Sequence, residues 1–278
     1  MNSILTDHYL PGFATAALYA LSALLLYRHV GSTAPTDLNL ESSHGKTVWV
    51  IALVAAALHG WMLIHSTFKS SGINLAFFNS LSVTAWFTVM ITLLLNFTRP
   101  VINLGLIQFP LASLILVLSI IFTSSNNTTV QPETQWHVLI SVIAYALLTI
   151  AAAQALLVSL QDKRLRHHRP GGFLQALPPL AVMETVLLQL LLVTFIMLTL
   201  ALATGFIFMD DLFGQRLVHK TTLSSIAWLL LAVLLIGQWR WGWRGQKTAA
   251  MTMGAFVSLL LGYFGSKFVI ELVLHQQG

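Results

Sequence analysis

The chain has 278 residues, of which 56% are hydrophobic and 8% are charged, with a mean hydropathy of +0.80. Soluble domains carry about 25% charged residues, so this composition excludes an ordinary soluble surface. There is no cysteine, which excludes thiol chemistry and CxxCH haem attachment, and the 14 Lys and Arg lie in short clusters between apolar runs, which argues against a nucleic-acid-binding face.

Apolar runs of about 20 residues, the length that crosses a bilayer, recur along the whole chain. They predict an all-α fold: a polytopic membrane helix bundle that forms a single transmembrane domain over residues 1–278. The loops are too short to fold alone, so any site must lie between helices or at their mouths. The eight predicted spans cover residues 10–28, 47–67, 75–97, 101–123, 137–160, 180–208, 222–239 and 249–273.

The loop charges predict the orientation of these spans. Ten cations follow the odd-numbered spans: Arg28, Lys46, Arg99, Lys163, Arg164, Arg166, Arg169, Arg240, Arg244 and Lys247. The opposite loops hold only Lys69, Arg216 and Lys220. Because loops rich in Lys and Arg stay in the cytoplasm, both termini are predicted to lie outside.

Five histidines gather at the predicted outer face. His59 lies within the second span, where an ionisable side chain indicates function unless it is a neutral imidazole bonded to a neighbouring helix. The other four stand at or beyond helix ends, where amphipathic side chains commonly settle, so their position alone does not make them ligands. They are His65, His137, His219 and His275.

The last span carries two patterns with a four-residue spacing. Lys267, Glu271 and His275 share one face, so Glu271 is a candidate to orient His275 as a metal ligand, the alternative being a Lys267–Glu271 ion pair. Small residues with the same spacing predict close packing against another helix. They are Gly254, Ser258, Gly262 and Ser266.

Two further groups are predicted to be structural. Glu184 lies in the first turns of the sixth span, where a carboxylate complements the helix amino terminus. Trp239, Trp241 and Trp243, with their neighbouring arginines, form an aromatic and cationic belt of the kind found at membrane interfaces.

Residues 75–275 resemble the cytochrome c assembly proteins, which handle haem in bacterial and plastid membranes. WHVLISVIAYALLTIAAAQALL at 136–157 is similar to the family's segment in which a histidine opens a helix on the outer side. METVLLQLLLVTFIMLTLALATGF at 183–206 resembles the next helix, and GYFGSKFVIELVLHQQG resembles the terminal one. By this resemblance, His137 and His275 match the two outer axial-ligand positions.

One departure from the family concerns its tryptophan-rich outer loop, which ends in a WDPKE-like run and cradles haem. The corresponding stretch here is FMDDLFGQRLVHKTT, which has no tryptophan but places His219 near the end of the motif. This resembles a shorter inner-membrane branch of the family, and His219 becomes the reserve ligand.

The resemblance implies a multi-pass protein of the bacterial cytoplasmic (inner) membrane that is not an enzyme and that binds or delivers haem b. His137 and His275 would ligate the iron at the outer face, and Arg216 or Lys220 would meet the propionates. Expected partners are membrane lipid, haem and a thiol-handling or assembly protein, but no nucleic acid. The alternative is a non-haem accessory or regulatory subunit of a membrane transporter or assembly complex.

Overall fold

The structure is a computed structural model that describes residues 2–32, 43–69, 72–99, 101–122, 127–128, 132–166, 177–208 and 218–273. Eight of its helical stretches are long and apolar enough to cross a membrane, which confirms the predicted all-α membrane architecture. The described residues form two compact units, which contain the first four and the last four spans. The outer location of the termini and the single domain stay predictions.

The first unit is built from four helices, and its core combines large apolar residues with several alanines. Ala52, Ala55 and Ala56 are fully buried on the second helix, so neighbouring helices approach its backbone closely. Because the backbone is this accessible, the Trp86 indole N–H donates a hydrogen bond to the Ala56 carbonyl at 2.7 Å. The helices are α1 (Asn2–Ser32), α2 (Ser43–Thr67), α3 (Phe77–Leu95) and α4 (Gly105–Ile121), the last preceded by a 3-10 turn at Ile102–Leu104.

A small antiparallel sheet joins the loops of the first unit. Its strands β1 (Phe68–Lys69), β2 (Gly72–Asn74) and β3 (Asn127–Thr128) pair in the order β1-β2-β3. Ile73 stands opposite Phe68 on one side and Thr128 on the other. The sequence predicted only loops here, because strands of two or three residues are too short to show an alternating pattern.

Helix α3 buries polar side chains as well as apolar ones along much of its length. Five hydroxyl or amide residues recur every four positions on its buried face: Ser80, Thr84, Thr88, Thr92 and Asn96. Thr84 and Thr88 each donate to the carbonyl four residues earlier, at 2.9 and 2.8 Å. These bonds satisfy the Thr84 and Thr88 hydroxyls within the helix.

The second unit contains the remaining spans. Helix α5 runs antiparallel to α8, because Tyr145 bonds the Leu259 carbonyl while Ser159, further along α5, bonds Gln246 at the start of α8. The elements are α5 (Pro132–Arg166), α6 (Leu180–Phe208), α7 (Val218–Trp241), α8 (Gln246–Leu260), a π-helical turn (Leu261–Gly265), α9 (Ser266–Phe268) and a second π-helical turn (Val269–Val273).

The small residues of the last span do permit close packing. A methyl group added to Gly262 would lie 3.2 Å from Leu223 Cβ and 3.5 Å from the Lys220 carbonyl, both on α7. A side chain at this position would therefore push α7 away. At Gly262, the predicted close packing of the last span is confirmed.

Candidate functional site

The candidate site begins at His137, one turn into α5. Its Nδ1 atom lies 3.1 Å from the Thr204 hydroxyl of α6. A methyl group added to Gly205 would come within 3.1 Å of the ring carbon Cε1, so the ring rests directly on the α6 backbone. The ring also interacts with the backbone of Ala201, one turn earlier on the same face of α6. These contacts fix the orientation of the imidazole.

The hydrogen bonds of Thr204 indicate which ring nitrogen of His137 carries the proton. The Thr204 hydroxyl donates to the Leu200 carbonyl at 2.8 Å, so its own proton is already used. Its lone pair can then accept a hydrogen bond, which requires His137 Nδ1 to be the donor. In a neutral imidazole this leaves a lone pair on Nε2, the arrangement that favours a metal ligand.

A cluster of charged and aromatic side chains lies on α7 and the last helix of the same unit. The Lys220 and Lys267 ammonium groups lie 5.3 and 5.4 Å from the centre of the Tyr263 ring. Lys267 also forms an ion pair with Glu271 at 3.5 Å, and both side chains are nearly buried. The predicted alternative of a Lys267–Glu271 ion pair is thus confirmed, and Lys220 interacts electrostatically with both groups.

The helix geometry places His137 at the same level as this cluster. The Tyr145 and Tyr263 rings pack with centroids 5.8 Å apart. His137 precedes Tyr145 by eight residues, or about 12 Å along α5. Because the last helix runs antiparallel to α5, Lys267 and Glu271 lie four and eight residues beyond Tyr263 in the same direction. The imidazole and the ion pair therefore share one end of the second unit.

The other predicted haem-site residues are either exposed or lie outside the described part of the chain. His219 lies in the first turn of α7 with its side chain exposed. His275 and Arg216 lie outside the described residues, so their distances to His137 stay predictions. The same holds for the predicted role of Glu271 beside His275.

His59 belongs to the first unit and is fully buried. Its Nε2 atom lies 2.9 Å from the Ser82 hydroxyl, and its Nδ1 atom lies 3.4 Å from the Tyr19 hydroxyl. Both ring nitrogens are therefore engaged by neighbouring helices, which is the packed-core interpretation offered as the alternative to an intramembrane site. His65, by contrast, is exposed and makes an edge contact with Trp61.

The site fits a haem group at one axial position. His137 has a bonded Nδ1, so its neutral ring carries a lone pair on Nε2, and Lys220 supplies a cation for a carboxylate at the same end of the unit. Among the described residues, no three His, Asp or Glu side chains converge as a site for a bare metal ion.

The sequence did not identify Thr204, Gly205 or Tyr263 as parts of this site. Thr204 and Gly205 are separated from His137 by more than 65 positions. The sequence shows only a hydroxyl residue next to a small residue near the end of a mostly apolar helix. Because the same combination also occurs in ordinary helix packing, it does not indicate a site.

Comparison with known proteins gives consistent results. A family model described as "Cytochrome C assembly protein" matches residues 47–274. The chain is 29% identical to "Inner membrane protein YpjD" of Escherichia coli (strain K12) over 268 residues, which cover 95% of this chain and 100% of that protein. It is 32% identical to "Cytochrome c biogenesis protein CcsA" of Prochlorococcus marinus subsp. pastoris over 98 residues, which cover 34% of this chain and 31% of that protein. No solved structure matches significantly.

Proposed function

The chain belongs to the cytochrome c assembly protein family and is a multi-pass inner-membrane protein, and from this premise we propose that it binds and handles haem, holding haem b at its outer face through His137. The observation that carries the proposal is the bond between His137 Nδ1 and Thr204 at 3.1 Å. It leaves the lone pair of the neutral ring on Nε2, at the end of the unit that also holds the Lys220 cluster.

Haem would bring to this site an iron atom with two axial positions and two propionate carboxylates. His137 would ligate the iron through its Nε2 lone pair, and Thr204 would hold the ring in place. His275 is the proposed second ligand, with His219 in reserve. Lys220 and Arg216 would pair with the propionates as charge-assisted hydrogen-bond donors. Glu271 is proposed to support His275, in addition to its bond with Lys267.

The protein would hold or deliver the cofactor without itself breaking covalent bonds. Because the chain has no cysteine, any covalent attachment of haem to a cytochrome requires a separate thiol-handling or assembly protein. The CcsA relative carries a name that refers to cytochrome c biogenesis, which supports a role in the same process.

The test is the visible spectrum of the full-length protein purified in detergent, recorded oxidised and reduced. We expect a haem absorption band that His137→Ala shifts or abolishes. His65→Ala is the matched control, because His65 is also a histidine at the predicted outer face but has no place in the site; it should leave the band unchanged. If wild-type protein supplied with haem shows no band, the haem proposal is wrong and the accessory-subunit alternative leads.

Thr204 gives a second, independent test of the same site. Removing the partner of a metal-ligating histidine usually weakens metal binding about 10–100-fold. Thr204→Val should therefore weaken haem binding about 10–100-fold and shift the midpoint potential of the bound haem. Thr204→Ser keeps the hydroxyl and should retain the wild-type affinity and potential. Equal behaviour of the two variants would show that Thr204 does not act through its hydroxyl.

A further inference from the structure

The predicted cytoplasmic end of the second unit gathers cations from two distant segments. Ser159 and Gln246 exchange two hydrogen bonds of 2.8 Å, and the Gln246 amide also donates to Asp162 at 3.1 Å. These bonds tie the end of α5 to the start of α8. They bring the basic stretch of residues 163–166 beside the basic turn of residues 240–247, although more than 70 positions separate the two in sequence.

The turn between α7 and α8 is held in one defined shape. Gly242 and Gly245 adopt φ angles of +65° and +61°, a conformation that side chains disfavour. The Gly245 N–H donates to Glu184 at 2.9 Å, and a methyl group on Gly245 would approach Asp162 to 3.3 Å. This bond confirms that Glu184 has a structural use.

The two carboxylates of this region point inward, while its cations point outward. Asp162 is 7% exposed and Glu184 is half-buried, and both accept hydrogen bonds from the turn. Arg166 pairs with Asp162 yet keeps 71% of its side chain exposed. Six exposed cations together form a cationic surface, which we call the basic turn surface. They are Lys163, Arg164, Arg166, Arg240, Arg244 and Lys247.

Tryptophan side chains flank this surface. Trp239 and Trp241 are 84% and 66% exposed. The Trp241 and Trp243 rings stack with centroids 5.8 Å apart, and the Lys247 ammonium lies 3.3 Å from the centre of the Trp243 ring. Exposed indole rings at the end of a membrane span lie at the depth of lipid headgroups, so the cations beside them lie at the level of the lipid phosphate groups.

We propose that the basic turn surface is a binding site for anionic phospholipids, whose phosphate groups pair with the cations while the tryptophans contact the glycerol and upper acyl region. Each Lys or Arg near an anionic membrane surface raises affinity about fivefold. The fixed turn distinguishes this surface from cations that only orient a span, because it presents Arg244 and Lys247 together in one conformation.

The experiment titrates the full-length protein, purified in zwitterionic detergent, with brominated phosphatidylglycerol and, in parallel, with brominated phosphatidylcholine. Bromine quenches nearby tryptophan fluorescence, so the exposed indoles report binding directly. We expect phosphatidylglycerol to bind at least tenfold more tightly, with an affinity that falls as salt is added.

The variant Arg244→Gln with Lys247→Gln should weaken phosphatidylglycerol binding about 25-fold, as expected for two cations. The charge-preserving variant Arg244→Lys with Lys247→Arg should retain binding to within a few-fold, which separates loss of charge from loss of folding. Arg28→Gln with Arg99→Gln removes two exposed cations of the first unit and should change little. Equal affinity for both lipids, or an equal loss in the Arg28/Arg99 control, overturns the proposal.

Discussion

His59 and His137 show how one residue type takes two roles in the same chain. Both are bound by hydroxyl side chains of other helices. His59 uses both ring nitrogens and is fully buried, whereas only Nδ1 of His137 is used by the Thr204 hydroxyl. The bonds on both ring nitrogens mark His59 as a structural histidine, whereas the tautomer that Thr204 requires gives His137 an Nε2 lone pair and makes it a candidate ligand.

We predict that His59→Leu lowers the free energy of unfolding by about 2–4 kcal/mol, because it leaves the Ser82 and Tyr19 hydroxyls buried without their partner. Ser82→Ala should have a larger effect than Tyr19→Phe, since the bond to Ser82 is 2.9 Å long and that to Tyr19 is 3.4 Å. Denaturation in detergent measures the free energy of unfolding of each variant. The exposed His65→Leu is the control and should change stability by less than about 0.5 kcal/mol. An unchanged stability of His59→Leu would contradict the packed-core interpretation.

At the scale of elements, the sequence predicted the spans well and their partners poorly. The predicted span 180–208 coincides with α6, Leu180–Phe208, because apolar length is a local property, and the predicted span 10–28 lies within the longer α1, Asn2–Ser32. The predicted span 137–160 is shorter than α5, Pro132–Arg166, since α5 continues through polar residues at its end, where Asp162 accepts hydrogen bonds from Arg166 of the same helix and from Gln246 of α8. The pairing of His137 with Thr204 depends on which helices are neighbours, which no local pattern reveals.

The hairpin of α3 and α4 contains buried polar atoms without a partner among the described residues. They are Thr92 Oγ1, Asn96 Nδ2 and both side-chain polar atoms of Gln108. Thr92 and Gln108 each lie eight residues from Pro100, so the two arms of the hairpin bring them to the same depth.

We predict that Gln108→Leu, which keeps the size of the side chain, leaves stability unchanged or raises it by about 1 kcal/mol, because an apolar group removes the cost of burying an unbonded amide. Thr92→Val should act in the same direction. Gln154→Leu is the contrasting variant and should destabilise the protein, because the Gln154 amide donates to the Met183 carbonyl at 3.0 Å. Thermal unfolding in detergent compares the three. A loss of stability in Gln108→Leu equal to that in Gln154→Leu would show that the Gln108 amide is satisfied.

At the scale of the whole molecule, orientation decides which face every site occupies. Ten of the cations outside the spans follow odd-numbered spans, so the second unit should present its basic turn surface to the cytoplasm and His137 to the outside. Tags at Arg166 and Arg244 should then be protected from membrane-impermeant reagents in intact cells, while tags at Asn127 and Gly278 should react. Because the chain has no cysteine, single introduced cysteines can serve as these tags without a background. The opposite labelling pattern would reverse the faces of both proposed sites.

The two π-helical turns of the last helix, Leu261–Gly265 and Val269–Val273, carry a consequence for the register of that helix. A π turn holds about one residue more than an α turn, so it is equivalent to an insertion that the helix has absorbed without breaking. Deleting one residue within Leu261–Gly265 should therefore restore α geometry and leave Lys267 and Glu271 on the face that they now share with Tyr263. The same deletion within the regular α8 would instead turn both residues by about 100° around the axis and away from Tyr263. The π turn is thus the place where this helix can lose a residue without moving the charged cluster to another face.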